Sequence, residues 1–225
     1  MATAIQEKTD ATVGEQCLVL NSIDWNQYET LLQAFPEQAG LRITYLDGRL
    51  TLVSPTRRHD RFEKVLARLF ETIAEGAGIE IEVAGHATYR QQTKGAGVEG
   101  DQAYYVGENA KRIGGSANID LSRQPPPDLV IEVEATYKAD DSVAAWGRLG
   151  VPEVWRLNIE RQTLSFGKRR DDGSYENIVR SLALPFVEPN DLLSQIQLAE
   201  EIRWSPWVAQ LDEWIRNVLL PRRGR

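Results

Sequence analysis

The sequence predicts an α/β protein in which a mixed β-sheet is flanked by helices. Two kinds of pattern lead to this fold class. Alternating strand patterns meet at Asp-Gly turns at residues 47–48 and 172–173, which is typical of hairpins. A strand–helix–strand pattern over 128–158 is typical of a crossover between parallel strands. Hairpins and a crossover together indicate a sheet with both antiparallel and parallel pairs.

The first half of the chain alternates helices with strand pairs. Ser22 and Asp24 can cap a helix through WNQYETLLQAF, which Pro36 ends. The hairpin of LRITYLDGRLTLVSP follows, and apolar residues at helical spacing then predict a helix over 59–75 that ends at GAG. Strand patterns come next at 79–84, 87–92 and 101–107, and a long polar loop spans 107–124.

The second half supplies the crossover and a helical tail. The crossover consists of a strand over 128–134, a helix over 139–150 and a strand over 151–158, and it is followed by a hairpin over 162–181 and amphipathic segments over 191–201 and 206–219. We therefore predict three regions: a flexible N-terminus over 1–20, a folded domain over 21–200, and a C-terminal helical extension over 201–225. Tryptophans in the tail suit either a covered sheet edge or a homodimer contact.

Composition limits the kind of site that the chain can form. One cysteine and two histidines exclude an internal disulfide and a cysteine-rich zinc site, whereas a hard cation held by carboxylates remains open. No apolar run reaches the roughly 18–20 residues of a membrane span, and the N-terminus lacks signal-peptide features, so we expect a cytoplasmic protein. A net charge of −7 argues against a strong non-specific nucleic-acid binder.

The strand in PPPDLVIEVEATYKADD carries an unusual set of acids. Because side chains alternate along a strand, Asp128, Glu132 and Glu134 share one face and the apolar residues share the other. A solvated edge strand would explain this pattern. A divalent cation is the alternative, because like charges held close together disfavour joint ionisation unless a cation compensates them. Asp101 before a neighbouring strand and Lys138 complete the parts that metal-dependent phosphodiester hydrolysis needs.

Four motifs carry a family resemblance: ITYLDGRLTLVSP with RHDR, GVEGDQAYYV, PPDLVIEVEAT and GVPEVWRLN. With them, the chain resembles the Uma2 family of endonucleases (formerly DUF820), which is abundant in cyanobacteria and belongs to the PD-(D/E)XK nuclease superfamily. The resemblance runs from about residue 42 to about residue 191. It implies a restriction endonuclease-like core and an Mg²⁺- or Mn²⁺-dependent endonuclease whose partner is nucleic acid, most simply DNA.

The resemblance also implies roles for individual residues. Asp101, Asp128 and Glu132 correspond to the metal ligands of the family motif. His59 matches a family histidine, and Glu63 on the same helix is a possible additional acid.

The chain departs from the family pattern at two places: Gly100 stands where proline is usual, and Ser142 stands where the family lysine is expected on the following helix. Glu134 occupies the lysine position of the superfamily motif, where the resemblance implies that an acid or an apolar residue is usual for the family. Lys138 is the nearest substitute, about one helical turn away. Two alternatives stay open: a catalytically weakened or inactive relative that acts in binding or assembly, and a metal-dependent hydrolase of small phosphoesters.

Overall fold

The computed structural model describes residues 4–6, 14–34, 40–85, 87–113, 119–136 and 138–223. These residues form two six-stranded sheets and six α-helices. The strands are β1 (Ala4–Gln6), β2 (Gln16–Leu20), β3 (Arg42–Leu46), β4 (Arg49–Ser54), β5 (Ile81–Val83), β6 (Thr88–Gln91), β7 (Ala96–Glu99), β8 (Gln102–Val106), β9 (Leu129–Glu134), β10 (Glu153–Asn158), β11 (Thr163–Arg169) and β12 (Tyr175–Ile178). The helices are α1 (Trp25–Ala34), α2 (Arg57–Gly76), α3 (Glu108–Ile113), α4 (Asp140–Leu149), α5 (Pro189–Glu201) and α6 (Trp204–Trp214).

The first sheet is antiparallel throughout, with strand order β1-β2-β4-β3-β7-β6. The predicted hairpin is confirmed, because Leu46 of β3 pairs with Arg49 of β4. The two turn residues, Asp47 and Gly48, have φ angles of 46° and 89°. Positive φ at both central positions is what a tight two-residue hairpin turn requires.

The second sheet is the predicted mixed sheet, with order β12-β11-β10-β9-β8-β5. The parallel pair is β9 with β10, and α4 forms the crossover between them, as predicted. The hairpin of β11 and β12 is also confirmed. The chain passes from the first sheet to the second at Gly100 and Asp101, between β7 and β8. This passage brings the ends of both sheets to one place.

The main core lies on one face of the second sheet, against α2, α5 and α6. Leu129, Ile131 and Val133 face it, as their alternation predicts. On the other face of β9, Val130 packs in a second cluster around Trp146 of α4. Both faces of β9 are therefore buried, and the interpretation as a solvated edge strand is wrong because β8 and β10 flank β9 on either side.

Both chain ends contribute to this fold. The segment over 1–20, which was predicted to be flexible, contains β2, and β2 pairs with β4 from Gln16↔Ser54 to Leu20↔Leu50. At the other end, Trp207 of α6 is fully buried in the main core, and its Nε1 donates to the Gln195 carbonyl oxygen at 3.1 Å.

The loop predicted over 107–124 contains α3, and its residues 114–118 lie outside the described part of the chain. Among the described residues, none of the helices combines the length and the apolar character needed to cross a membrane.

Candidate active site

A cavity of about 50 Å³ lies where the two sheets meet, beside the first turns of α2 and α4. Both sheets and both helices contribute side chains to it, and the acids among them are Glu15, Glu99, Asp101, Glu132 and Asp141. Arg42 and His59 are the basic side chains among its described lining residues. The cavity therefore holds more acidic than basic groups, which favours a cation as its ligand.

Asp101 is buried at the junction of the sheets and has three partners. Its Oδ2 accepts from the Val133 backbone N–H at 2.8 Å and lies 3.2 Å from His59 Nε2. Its Oδ1 lies 3.3 Å from Arg42 Nε. Burial alone would raise the pKa of Asp101, but the hydrogen bond and charge of His59, the Val133 amide and Arg42 together lower it. Asp101 is therefore ionised at neutral pH.

His59 lies in the first turn of α2, where Thr56 caps the helix by accepting from the His59 backbone N–H at 3.2 Å. Its Nε2 lies 2.9 Å from the Val133 carbonyl oxygen, so this nitrogen carries a proton. Burial lowers the pKa of His59, but Asp101 and two further acids outweigh that effect and raise it to about 9. His59 Nδ1 is buried without a hydrogen-bond partner among the described residues, 3.7 Å from Asp60 Oδ1.

Glu132 projects from the middle of β9 into the same cavity. Its Oε1 accepts from Trp146 Nε1 at 2.5 Å, and its Oε2 accepts from Ser142 Oγ at 2.9 Å. Burial and the nearby charge of Asp101 raise the pKa of Glu132 to about 8, against the opposing effect of these two hydrogen bonds. Two carboxylates thus share a site in which one of them holds a proton at neutral pH.

The same geometry explains why glycine stands at position 100. A Cβ atom there would lie 2.6 Å from Trp146 Cζ2 and 2.9 Å from Glu132 Oε1. Neither contact is sterically allowed, and Trp146 is fully buried and has little room to move. Gly100 therefore lets the indole reach Glu132, where the family pattern has proline.

Glu63 follows His59 by one turn on the same face of α2. Its Oε1 accepts from Gln102 Nε2 at 2.7 Å, and its Oε2 lies 3.3 Å from Arg42 Nη2. His59, Asp60 and Glu63 can each present one ligand atom with all three atoms within 4.8 Å of one another. The sequence assigned His59 and Glu63 to the site only through the resemblance. The structure places His59 next to Asp101 and joins Glu63 to Asp101 through Arg42, with Glu63 outside the described cavity lining.

Asp128 does not lie with Asp101 and Glu132, and the expectation that it would is corrected. Its Oδ2 accepts from the Val106 backbone N–H at 2.8 Å, and its Oδ1 accepts from Asn109 Nδ2 at 2.8 Å. It is outside the described lining of the cavity. The physical reason is distance along the strand: Asp128 precedes Glu132 by four residues, about 13 Å at the usual rise of a strand, and its carboxylate fastens α3 to the end of β8.

Two other candidates also lie apart from the cavity. Glu134 is paired with Arg156, whose Nε lies 3.0 Å from Glu134 Oε1, and it accepts from Asn158 Nδ2 at 3.1 Å. Lys138 is exposed ahead of α4 and is absent from the described cavity lining. Neither the acid at the motif's lysine position nor the nearest lysine therefore faces Asp101 and Glu132.

Sequence reasoning missed Arg42 and Glu15. Arg42 contacts Glu63 and Asp101, which are 21 and 59 residues away along the chain, so no local spacing reveals these pairs. Glu15 falls in the segment predicted to be flexible, yet it is buried, and its Oε1 lies 3.8 Å from His59 Nε2. The only feature of the sequence that pointed to Arg42 was its place as a charged residue at the start of a largely apolar strand pattern.

Comparison with known proteins now identifies the family. The Uma2 family model, described as "Putative restriction endonuclease", matches residues 25–201. The chain belongs to the Uma2 family. A crystal structure from Anabaena variabilis, titled as a putative nuclease belonging to DUF820, is similar at 14% identity over 82% of this chain and 96% of that chain, with a TM-score of 0.48. None of the curated proteins matches.

The matched range of this Uma2 protein includes most of the candidate site, from Arg42 through Asp101 and Glu132 to Ser142. The resemblance drawn from the sequence motifs is thereby confirmed. Glu15 lies outside the matched range and reaches the cavity from the position before β2.

Proposed function

We propose that this Uma2 protein is a cytoplasmic endonuclease that uses Mg²⁺ or Mn²⁺ to hydrolyse phosphodiester bonds of DNA. The observation that carries the proposal is the buried pair of Asp101 and Glu132 at the wall of one small cavity. Family membership supplies the reaction class, because the family is described as a restriction endonuclease. The paired acids supply the chemistry that this class requires.

The donor set of the cavity fits a hard divalent cation. Burial and the charge of Asp101 keep Glu132 protonated at neutral pH, and a bound cation would remove the cost of ionising both groups. Asp101 and Glu132 would hold such an ion, and Glu15, Glu99 and Asp141 are the further acids that line the same cavity. When bound, the ion would polarise the phosphoryl group and lower the pKa of an attacking water.

The residues around the pair hold it in place. Trp146 and Ser142 each donate to a different oxygen of Glu132, so α4 fixes the orientation of this carboxylate. The Val133 amide and His59 do the same for Asp101. Both acids thus sit on a central strand and its neighbour with their oxygens directed by buried donors, which limits the reorganisation needed during reaction.

The cavity volume favours a polymeric substrate over a small phosphoester. About 50 Å³ accommodates an ion with water or phosphate oxygens, whereas pockets that enclose a whole small ligand measure about 300–1,000 Å³. A nucleic acid would therefore lie across the mouth of the cavity with only its scissile phosphate inside. This argues against the alternative of a small-phosphoester hydrolase.

A polar groove beside the site supports nucleic acid as the substrate. Arg156, Asn158, Arg161 and Asn177 are among the residues that line this groove of about 260 Å³ on β10, β11 and β12. Arg156 pairs in register with Glu132 of β9, so the groove begins next to the acidic strand. Arg156 and Asn158 already donate to Glu134 in this groove, so Arg161 and Asn177 are the donors that would contact phosphate and sugar.

The test is a cleavage assay with purified protein on plasmid and single-stranded DNA. We expect cleavage with Mg²⁺ or Mn²⁺ and none after EDTA treatment, because the acids alone cannot compensate the charge of a phosphate. Retained DNA binding without cleavage in either metal would instead support the inactive relative. Cleavage that persists in EDTA would contradict metal dependence.

A further inference from the structure

We propose that Arg42 is the cation that contacts the scissile phosphate, the role that the family resemblance gives to a lysine. This inference rests on the proposed nuclease function. It assigns a residue that lies on β3, in a different sheet from the acidic strand β9 and its following helix.

The expected lysine positions cannot supply this charge. Ser142 stands at the family position, and its hydroxyl donates to Glu132, so this position does face the cavity but carries no charge. Lys138 is exposed and outside the described lining. The position that would carry the family lysine therefore lies beside Glu132, but it is occupied by the neutral side chain of Ser142.

Arg42 fits the missing role by its position. Its guanidinium contacts both Asp101 and Glu63, and its side chain is 17% exposed, so it is held among the acids while still open to the cavity. The first of these contacts uses Nε and the second uses Nη2. An arginine has five N–H donors, so the remaining ones are available for phosphate oxygens.

The backbone of Arg42 is held in place, because β3 pairs with β4 on one side and β7 on the other. Its two carboxylate contacts are both 3.3 Å, longer than the roughly 2.7–2.9 Å of a tight charge-assisted hydrogen bond. The strand therefore presents the guanidinium between the two acids at the cavity.

The chemistry of hydrolysis explains what the charge would do. A water oxygen forms a bond to phosphorus and loses one proton to solvent. The bond from phosphorus to the leaving oxygen breaks, its electron pair stays on that oxygen, and a proton from solvent completes the new hydroxyl. Negative charge accumulates on the phosphoryl oxygens between these events, and a guanidinium beside them stabilises it.

The experiment compares Arg42→Gln and Arg42→Lys with Lys138→Gln as the matched control. We expect Arg42→Gln to lower kcat for DNA cleavage by about 100-fold or more, as removal of one charge-stabilising group typically does. Arg42→Lys keeps the charge but not the planar fork, so it should recover part of kcat. Lys138→Gln should keep kcat near that of the wild type. Circular dichroism checks folding, and Arg42→Lys carries the test if Arg42→Gln does not fold.

A binding measurement provides a second readout that does not depend on turnover. The affinity for a fluorescent DNA oligonucleotide is measured against salt concentration in Ca²⁺. Loss of one phosphate contact should reduce the slope of log K against log salt by about 0.7–0.9 in Arg42→Gln and leave it unchanged in Lys138→Gln.

The outcomes separate this inference from the proposed function. If the wild type cleaves DNA and Arg42→Gln cleaves it equally well, the role of Arg42 is overturned while the nuclease function stands. If the wild type does not cleave DNA but Arg42→Gln still shows the reduced salt slope, the phosphate contact stands and the nuclease function fails. An unchanged salt slope in Arg42→Gln overturns the phosphate contact.

Discussion

Replacing Glu132 by glutamine should abolish most metal-dependent DNA cleavage, with a loss of about 100-fold or more. Glutamine keeps the size of the side chain and an acceptor oxygen for Trp146 Nε1, so the packing around α4 should persist. It cannot carry the negative charge that a cation needs beside Asp101. The measurement is the initial rate of plasmid cleavage in Mg²⁺ and in Mn²⁺.

Asp128→Asn is the matched control for this variant. Both acids lie on or next to β9, but the Asp128 carboxylate binds the Val106 amide and Asn109 outside the described cavity lining. Asp128→Asn should therefore keep most of the activity. Equal loss in Asp128→Asn and Glu132→Gln would contradict the assignment of the site.

Glu132→Gln should also change how the stability of the protein depends on pH. The folded state raises the pKa of Glu132 from its ordinary 4.5 to about 8, so in metal-free protein the folded state binds more protons than the unfolded state between these values. The free energy of unfolding of the wild type should therefore fall as pH rises from about 4.5 to about 8. Glu132→Gln removes this pH dependence because glutamine does not titrate. The free energy of unfolding of the variant, relative to the wild type, should rise from pH 5 to pH 8 by on the order of a few kcal/mol. A constant difference would show that Glu132 is already ionised.

Replacing Asp101 by alanine should destabilise the protein by about 3–5 kcal/mol, the usual effect of removing one partner from a buried ion pair. The change leaves the buried His59 imidazolium and the Val133 amide without their acceptor. Urea unfolding in the absence of metal measures the loss. Asp101→Asn separates the effect of the negative charge from that of the hydrogen bond. Its amide oxygen can still accept from the Val133 N–H, but it cannot neutralise the positive charge of His59.

The loss of stability caused by Asp101→Ala should depend on pH. His59 has a pKa raised from 6.5 to about 9, so its contribution is complete below about pH 6.5 and is lost as pH rises towards 9. Asp101 has a lowered pKa, so its contribution is present above its ordinary 3.8 and is lost as pH falls further. The cost of Asp101→Ala should be largest between these limits and smaller at pH 9. The same cost at pH 6 and pH 9 would exclude the ion pair with His59.

Much of the fold follows from local patterns. The alternation in β9, the Asp-Gly hairpin turns and the apolar spacing of α2 each depend on neighbouring residues, so each was predictable. Glu132 and Asp101 could be assigned to one site because alternation and strand adjacency bring them together. β2 was missed because polar residues dominate the segment before it, although its own residues QCLVL are mostly apolar and pair with β4.

The site was less predictable than the fold, because its boundaries depend on tertiary contacts. Asp128 lies about 13 Å along the strand from Glu132, and its carboxylate binds Val106 and Asn109 instead. The approach of Trp146 over Gly100 turns an apparently solvent-facing acid into a buried one. Arg42 reaches the acids across a sheet junction that no local motif encodes.

A crystal of the protein soaked in Mn²⁺, with anomalous scattering recorded for the metal, tests the central claim most directly. We predict an anomalous peak within coordination distance of both the Asp101 and Glu132 carboxylates, and no such peak in a Glu132→Gln crystal soaked in the same way. A peak at Asp128, or full occupancy of the cavity in the Glu132→Gln crystal, would contradict the account.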